Sequence, residues 1–165
     1  MIKTTPFEMV FIIRDTMEFK DMRAEYFDAM LRAKKGYSRV MDPVCRQWDL
    51  TRNELDVMLF LANNPGFDRA ADIVSRRGLA KSHVSLSVSN LEAKGLLARR
   101  IDPADRRTVH LELTQQALEI AAQGRDAQVQ FFSSVYAGLT PEELESWQTI
   151  MLKLVGNIGK MNISL

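Results

Sequence analysis

The hydrophobic pattern of this chain changes once, between residues 97 and 113. Elsewhere apolar residues recur at spacings of three and four, which is typical of amphipathic helices. Between 97 and 113 they alternate with polar residues in two short runs, which flank the polar sequence Asp102-Pro103-Ala104-Asp105-Arg106-Arg107. This alternation around a turn-forming segment predicts a two-stranded hairpin. The predicted fold class is therefore mainly α with a small β-hairpin.

Four helices are predicted before the hairpin. The first follows Thr16, covers Phe19 to Met41 and ends near Asp42-Pro43. The second begins with the capping box Thr51-Arg52-Asn53-Glu54. Asp68 is the predicted N-cap of a short third helix, which Gly78 ends, and the fourth covers about Lys81 to Lys94.

Two further helices are predicted after the hairpin. Thr114 caps the first, and the capping box Thr140-Pro141-Glu142-Glu143 opens the second. Apolar stripes on these helices and on the one after Thr16 are long for a chain with only a small core to cover them. Exposed apolar faces of that size usually mark an interface, so a homodimer is predicted.

Charge is unevenly distributed along the 165 residues. Residues 69–110 contain nine Lys and Arg against four Asp and Glu, a net charge of +5, whereas the remainder carries −4. This basic middle indicates a polyanionic partner.

Composition and motifs exclude several other classes of protein. The chain is 46% hydrophobic and 26% charged, as folded proteins are. Its longest apolar run, Met9 to Ile13, is too short for a signal peptide or a membrane span, so a cytoplasmic location without membrane contact is expected. One cysteine, Cys45, and two histidines leave no disulfide and argue against a structural zinc site, and no cofactor is predicted. Phosphate-binding loops and nucleophile motifs are also absent from the sequence, so no enzymatic activity is predicted.

The order helix, short helix, helix, hairpin is that of a winged helix-turn-helix, whose second turn helix enters the major groove of DNA. At 100° per residue, Val84, Val88 and Leu91 share one face of the helix from Lys81, with Ala80 beside them. The opposite face collects short polar side chains suited to base edges and phosphates, with one leucine among them: Ser82, His83, Ser85, Leu86, Ser89 and Asn90.

Several motifs in this region resemble the MarR family of bacterial transcriptional regulators. They are Leu50-Thr51 opening a helix, the stretch Asn90-Leu91-Glu92-Ala93-Lys94-Gly95-Leu96-Leu97, and the hairpin pattern formed by Asp105, Arg107, Leu113 and Thr114. The correspondence covers about Leu50 to Thr114. It implies a winged helix-turn-helix over residues 50–113, and a dimerisation region formed by the terminal helices in residues 1–49 and 114–165. It also implies a homodimer on pseudo-palindromic double-stranded DNA, acting as a repressor that a small molecule releases.

The predicted DNA-contacting residues combine the polar helix face with nearby bases: Arg76, Arg77, Lys81, Ser82, His83, Ser85, Leu86, Ser89, Asn90, Arg106 and Arg107. One of Arg106 and Arg107 is expected in the minor groove, while the other pairs with Asp105 and stabilises the wing. The chain departs from the family at Leu86, Ser89 and Asn90, where charged residues are common. Weakened DNA binding therefore stays open, and the alternative is a helical dimerisation or protein-interaction module.

A site for a small aromatic or lipophilic effector follows only from the resemblance. In the family such ligands bind where the dimer helices meet the winged region, which corresponds here to Met22, Tyr26, Met30, Tyr37 and Trp48. Aromatic and Met residues at helical spacing are more often core or interface residues than ligand contacts. Cys45 is interpreted as an ordinary thiol, because the chain has no second cysteine to resolve a sulfenic acid.

Overall fold

The computed structural model describes the backbone of residues 19–160 and the side chains of residue 25 and residues 27–160. Its elements are α1 (Phe19–Gln47), α2 (Arg52–Asn63), α3 (Ala70–Arg77), α4 (Lys81–Ala93), β1 (Leu97–Ile101), β2 (Val109–Leu113), α5 (Gln115–Val135) and α6 (Pro141–Ile158). The predicted fold class and order of elements are confirmed. Thr16, after which the first helix is predicted, lies outside the described residues.

Helix α1 continues past the predicted end near Asp42-Pro43 and contains Pro43. An internal proline removes one backbone hydrogen bond and costs roughly 3 kcal/mol. The flanking side chains of Met41 and Val44 are buried in the core. We attribute the continuation of the helix to this packing, which a rule based on proline alone does not take into account.

The predicted caps are confirmed at Thr51 and Thr140, where both capping boxes are formed. The predicted cap at Asp68 is wrong. Helix α3 has Arg69 as its N-cap residue, and the Arg69 amide donates to Asp72 Oδ2 at 3.1 Å. The Asp68 carboxylate is turned instead toward His110 on β2.

The hairpin has the predicted strands in an antiparallel register that pairs Leu97 with Leu113 and Ile101 with Val109. Leu97 and Leu111 are buried in the core. A backbone hydrogen bond from Leu111 N to Asp68 O, 2.7 Å long, attaches β2 to the segment that precedes α3. The wing is thus joined to the helix-turn-helix on the β2 side.

Helix α2 supplies the centre of the core. Five consecutive or near-consecutive apolar side chains on it are at most 2% exposed, namely Leu55, Val57, Met58, Leu59 and Phe60. Around them pack buried residues from α1, α3, α4, the hairpin and α5. On α5, Gly124 permits a close approach, since a Cβ there would lie 3.1 Å from Leu59 Cδ2.

A buried carboxylate joins α2 to α4. Glu54 is 1% exposed, and its oxygens accept from Thr51 N at 2.9 Å, Asn90 Nδ2 at 2.8 Å and Lys94 Nζ at 3.1 Å. Lys94 Nζ also donates to the Asp49 carbonyl in the α1–α2 connection. The Glu54 carboxylate therefore joins α2 to the C-terminal end of α4 and, through Lys94, to the α1–α2 connection.

The hydrogen bonds keep this carboxylate ionised in spite of its burial. Burial raises the pKa of Glu54, but the donors from Thr51, Asn90 and Lys94 lower it by more, so the pKa lies below its ordinary value of 4.5. A buried charge without its donors is costly, which makes the network a strong constraint on the position of α4.

The chain divides into two compact units, one extending through Phe131 and one from Phe132 onward. In the second unit, Tyr136 stacks on Phe132 and packs at a tilt against Trp147. None of the α6 residues is buried. Among the helices that the structure describes, none has both the length and the apolarity needed to cross a bilayer.

Replacing Glu54 with glutamine tests the network. Glutamine has the same shape as glutamate but no charge. Its amide NH2 would face the donors of Thr51, Asn90 and Lys94 without an acceptor, so the free energy of unfolding should fall by about 1–3 kcal/mol. Because the Glu54 pKa is lowered on folding, its stabilisation is present above about pH 4.5 and is lost as the pH falls through the folded-state pKa. Urea unfolding of the wild type and of Glu54→Gln at pH 7 and pH 3.5 measures the difference in their free energies of unfolding at each pH.

The control is Glu119→Gln, an exposed position on α5. It should alter stability by no more than about 0.5 kcal/mol. Equal stability of the wild type and Glu54→Gln at pH 7 would show that the network does not hold α4.

Candidate nucleic-acid interface

Helices α3 and α4 form a helix-turn-helix around a tight turn at Gly78. Gly78 has φ +64°, a left-handed conformation that glycine adopts without steric cost, and its amide donates to Val74 O at 3.0 Å. Three residues later α4 begins at Lys81. The predicted end of the third helix at this glycine is confirmed.

Helix α4 has the two faces that its sequence predicts. Val84, Ser87, Val88 and Leu91 are buried, and the opposite face is exposed at Lys81, Ser82, His83, Ser85, Leu86 and Ser89. Leu86 is 61% exposed, so this leucine does point away from the core. Ala80, expected beside the core, is an exposed N-cap residue, because the helix begins only after it.

Asn90 does not belong to the exposed face, and its assignment there is wrong. Its amide nitrogen donates to Glu54, and the residue is half-buried. Helical rotation places Asn90 at the border between the two faces, so the buried carboxylate on α2 determines where its side chain turns. The spacing of Asn90 and Lys94, four residues apart on one face, is the sequence signal for their shared partner.

The wing turn has an internal hydrogen-bond network centred on Asp105. Its Oδ1 accepts from Arg107 N at 3.1 Å and lies 3.4 Å from Arg107 Nε, while Oδ2 accepts from Thr108 Oγ1 at 3.0 Å. The Arg107 amide and the Thr108 hydroxyl lower the pKa of Asp105, so the carboxylate stays charged. The structure shows the expected contact of Asp105 with one wing arginine, and that arginine is Arg107.

Arg106 and Arg107 are both exposed at the tip of the hairpin. The Arg107 side chain is 95% exposed even with Asp105 beside it, and no ion pair holds Arg106 within the described residues. Both guanidinium groups are therefore available to an external anion.

A second carboxylate, Asp102, opens the turn. Its Oδ1 accepts from Ala104 N at 2.7 Å and Asp105 N at 3.1 Å, and its Oδ2 lies 3.0 Å from His110 Nε2. The hydrogen bond with His110 and those from the two amides lower the pKa of Asp102. His110 on β2 is thus paired with the residue that follows β1.

The other face of His110 has a partner that sequence reasoning missed. His110 Nδ1 lies 2.9 Å from both carboxylate oxygens of Asp68, in the segment before α3. Hydrogen bonding to Asp102 and to Asp68 raises the pKa of His110 above its ordinary 6.5. No local spacing signals this contact, because 42 residues separate the two side chains.

The nine bases of residues 69–110 fall into two groups. Five form ion pairs with acids: Arg69 with Asp72, Lys94 with Glu54, Arg99 with Glu92, Arg100 with Glu112, and Arg107 with Asp105. The other four have no ion pair in the described part of the chain: Arg76, Arg77, Lys81 and Arg106. All four belong to the predicted DNA contacts, and they are exposed.

Aromatic rings support two of these free bases. The Arg76 guanidinium carbon lies 3.5 Å from the Phe67 ring centroid, and that of Arg77 lies 5.8 Å from the Phe60 centroid. Such cation–π contacts orient a guanidinium without neutralising it. Arg99, which is outside the predicted contact set, touches the polar face, since its Nη2 donates to Ser89 Oγ at 3.1 Å.

The predicted effector residues are placed in different surroundings. Met30 is 54% exposed, whereas Tyr37 and Trp48 pack against the core. Trp48 Nε1 donates to Gln123 Oε1 at 3.0 Å, and Tyr37 Oη accepts from Gln128 Nε2 at 2.6 Å. The side chains of Met22 and Tyr26 lie outside the described residues.

Cys45 lines a surface cavity of about 440 Å³. The other lining residues are Asp42, Arg46, Asp49, Leu50 and Arg52. Burial raises the pKa of the Cys45 thiol more than the Arg52 guanidinium lowers it. A raised pKa keeps the thiol protonated and weakly nucleophilic, as expected of an ordinary cysteine.

Comparison with known proteins gives consistent results along most of the chain. Residues 48–108 match the model of the MarR family. The chain is 23% identical to the HTH-type transcriptional regulator PetP of Rhodobacter capsulatus over 124 residues, which are 75% of this chain and 74% of PetP.

Two solved structures share the fold. MepR of S. aureus in complex with DNA has a TM-score of 0.62 and 19% identity, over 86% of this chain and 98% of the MepR chain. BpsR of Bordetella bronchiseptica, whose DNA binding is regulated by 6-hydroxynicotinic acid, has a TM-score of 0.59 and 23% identity, over 82% of this chain and 93% of its own. Residues 48–108 of the chain, which include most of the winged helix, are thus similar to the MarR family.

Proposed function

We propose that this protein is a DNA-binding transcriptional regulator that acts as a homodimer on a pseudo-palindromic operator. The observation that carries the proposal is the division of the bases. Within residues 69–110, acids pair with the bases outside the predicted contact set, whereas Arg76, Arg77, Lys81 and Arg106 have no ion pair among the described residues. Phosphate binding needs such free, exposed bases.

The exposed face of α4 supplies the contacts to base edges in this proposal. Ser82, His83, Ser85 and Ser89 offer short donors and acceptors, and Leu86 offers methyl groups. With α4 in the major groove, the wing reaches the adjacent minor groove, where an arginine is favoured by the negative potential. The full proposed contact set is Arg76, Arg77, Lys81, Ser82, His83, Ser85, Leu86, Ser89, Arg106 and Arg107.

A homodimer accounts for apolar surface outside the winged helix. Phe27, Met30 and Leu31 on α1 are each more than half exposed, as are Ile150, Leu152, Val155 and Ile158 on α6. A water-soluble monomer rarely leaves so many large apolar side chains uncovered. We assign residues 1–49 and 114–165 to the dimerisation region and residues 50–113 to the DNA-binding region.

Repression and release by a small aromatic or lipophilic effector complete the proposal. The support is the regulation of BpsR by 6-hydroxynicotinic acid, together with the match of residues 48–108 to the MarR family model. Of the residues that the resemblance suggests for the effector, exposed Met30 is the best placed, since Tyr37 and Trp48 are held by hydrogen bonds. No catalytic step is proposed, and action on chromosomal DNA places the protein in the cytoplasm.

A protein-interaction module without DNA binding is the second candidate. The exposed face of α4 favours it, because Leu86 and Ser89, unlike Lys81, offer no charge to phosphates. Exposed, unpaired Arg106 and the ordered turn that presents it favour DNA. We therefore give DNA binding precedence.

Removing both wing arginines tests the proposal. The double variant Arg106→Ala/Arg107→Ala should bind every duplex more weakly, and its log affinity should fall less steeply with log salt. The slope changes by about 0.9 for each phosphate that is no longer neutralised, because fewer counterions are released. Fluorescence anisotropy with selected and unrelated duplexes, over a range of about 50 to 300 mM salt, measures both effects.

The matched control is Lys34→Ala/Lys35→Ala, which removes two adjacent exposed bases from α1. It changes net charge equally, so it should retain most of the wild-type slope. If the wing variant keeps the wild-type affinity and slope, the proposal is wrong.

Leu86 should contact the C5-methyl group of a thymine. Leu86→Ala should cost about 1 kcal/mol at that base pair, a roughly fivefold loss of affinity. Replacing the thymine with uracil, which lacks the methyl group, should weaken wild-type binding equally and leave Leu86→Ala unaffected. Competition binding measures the affinities of the wild type and of Leu86→Ala for the thymine and uracil forms of a duplex selected from a random pool.

A different result would assign Leu86 to a weakened interface. In that case Leu86→Ala changes nothing, and Leu86→Arg raises the affinity for all duplexes alike.

A further inference from the structure

His110 is held between two carboxylates that belong to different parts of the fold. Its Nδ1 faces Asp68, in the segment before α3, and its Nε2 faces Asp102, at the first residue of the wing turn. Both distances are 2.9–3.0 Å. The imidazole is thus the side-chain link between the wing turn and the helix-turn-helix.

The position of His110 between two carboxylates favours one protonation state of its imidazole. An ionised carboxylate only accepts hydrogen bonds, and a neutral imidazole has one donor and one acceptor nitrogen. Neutral His110 can therefore satisfy Asp68 or Asp102 but not both. The imidazolium, with two donors, satisfies both at once.

We propose that His110, as an imidazolium clamped between Asp68 and Asp102, positions the wing for contact with DNA. The proposal rests on the proposed DNA-binding function and adds a residue that does not itself touch DNA. Asp102 transmits the position, since its second oxygen accepts from the Ala104 and Asp105 amides. Asp105 in turn accepts from Arg107, so the clamp extends to one wing arginine.

Charged groups near the clamp have partners of their own. On β1, Arg100 is the register partner of His110, but its guanidinium pairs with Glu112 on β2. Before α3, Arg69 pairs with Asp72. Asp105 lies behind Asp102 and is held by donors of its own turn.

The protonation of His110 determines how the DNA affinity changes with pH. The hydrogen bonds to Asp102 and Asp68 raise the pKa of His110 above 6.5. The clamp is fully formed below about pH 6.5 and opens as the pH rises through the raised pKa. At constant ionic strength, DNA affinity should therefore fall by about fivefold from pH 6 to pH 9.

Two variants separate positioning from mere structure. His110→Gln carries no charge and has its donors on a single nitrogen, so it cannot replace the imidazolium between the two carboxylates, and its affinity should be low and independent of pH. Asp68→Asn supplies an amide donor to Nδ1, so a neutral imidazole can accept from Asn and still donate to Asp102. Asp68→Asn should therefore keep high affinity at pH 9 and flatten the profile.

His83 is the other histidine of the chain. His83→Gln serves to assign the titration: whatever its effect on affinity, the pH-dependent step should persist. A wild-type pH profile in His110→Gln, or a step that vanishes only in His83→Gln, would overturn the proposal.

NMR on the DNA-free protein distinguishes failure of the clamp from failure of DNA binding. The His110 imidazole should titrate above pH 6.5, and the Asp105 and Arg107 amide shifts should follow with the same midpoint. If they follow while no duplex binds at any pH, the proposed function fails and so does the positioning role. If the amides do not follow, the clamp is absent even where DNA binds.

Discussion

The winged helix depends on one buried carboxylate. Glu54 closes the capping box of α2 and also accepts from Asn90 and Lys94 at the end of α4. Local helix capping and the long-range placement of the recognition helix thus share a single charge. Because an unpaired buried carboxylate is costly, α4 cannot move far from α2 without breaking these bonds. The exposed face of α4 therefore has a fixed direction relative to the core.

From that fixed helix, acids elsewhere in the segment determine which bases remain available. Glu92, Glu112 and Asp72 each hold an arginine that would otherwise add to the surface charge. The bases of residues 69–110 that form no ion pair with any described residue lie at the turn and at the wing tip. This arrangement explains how a chain with a net charge of +1 can present a basic surface where DNA would lie.

The elements that local patterns determine could be predicted from the sequence, whereas contacts between distant segments could not. The capping boxes and the hairpin follow from spacing alone and are confirmed, and so are the two faces of α4 except at Ala80 and Asn90. The continuation of α1 through Pro43 depends on packing of Met41 and Val44, which no local rule includes. Asn90 and Asp68 are misassigned by their local patterns because each binds a partner more than 30 residues away. Such distant partners determine the orientation of polar side chains at the edge of a helix face.

In vitro selection of duplex DNA from a random pool by the purified full-length protein tests the central claim most directly. The account predicts enrichment of an inverted repeat whose half-sites lie about 10 base pairs apart, as a two-fold symmetric dimer with one α4 in each major groove requires. Recovery of no sequence above background, or of a single site without symmetry, would contradict it.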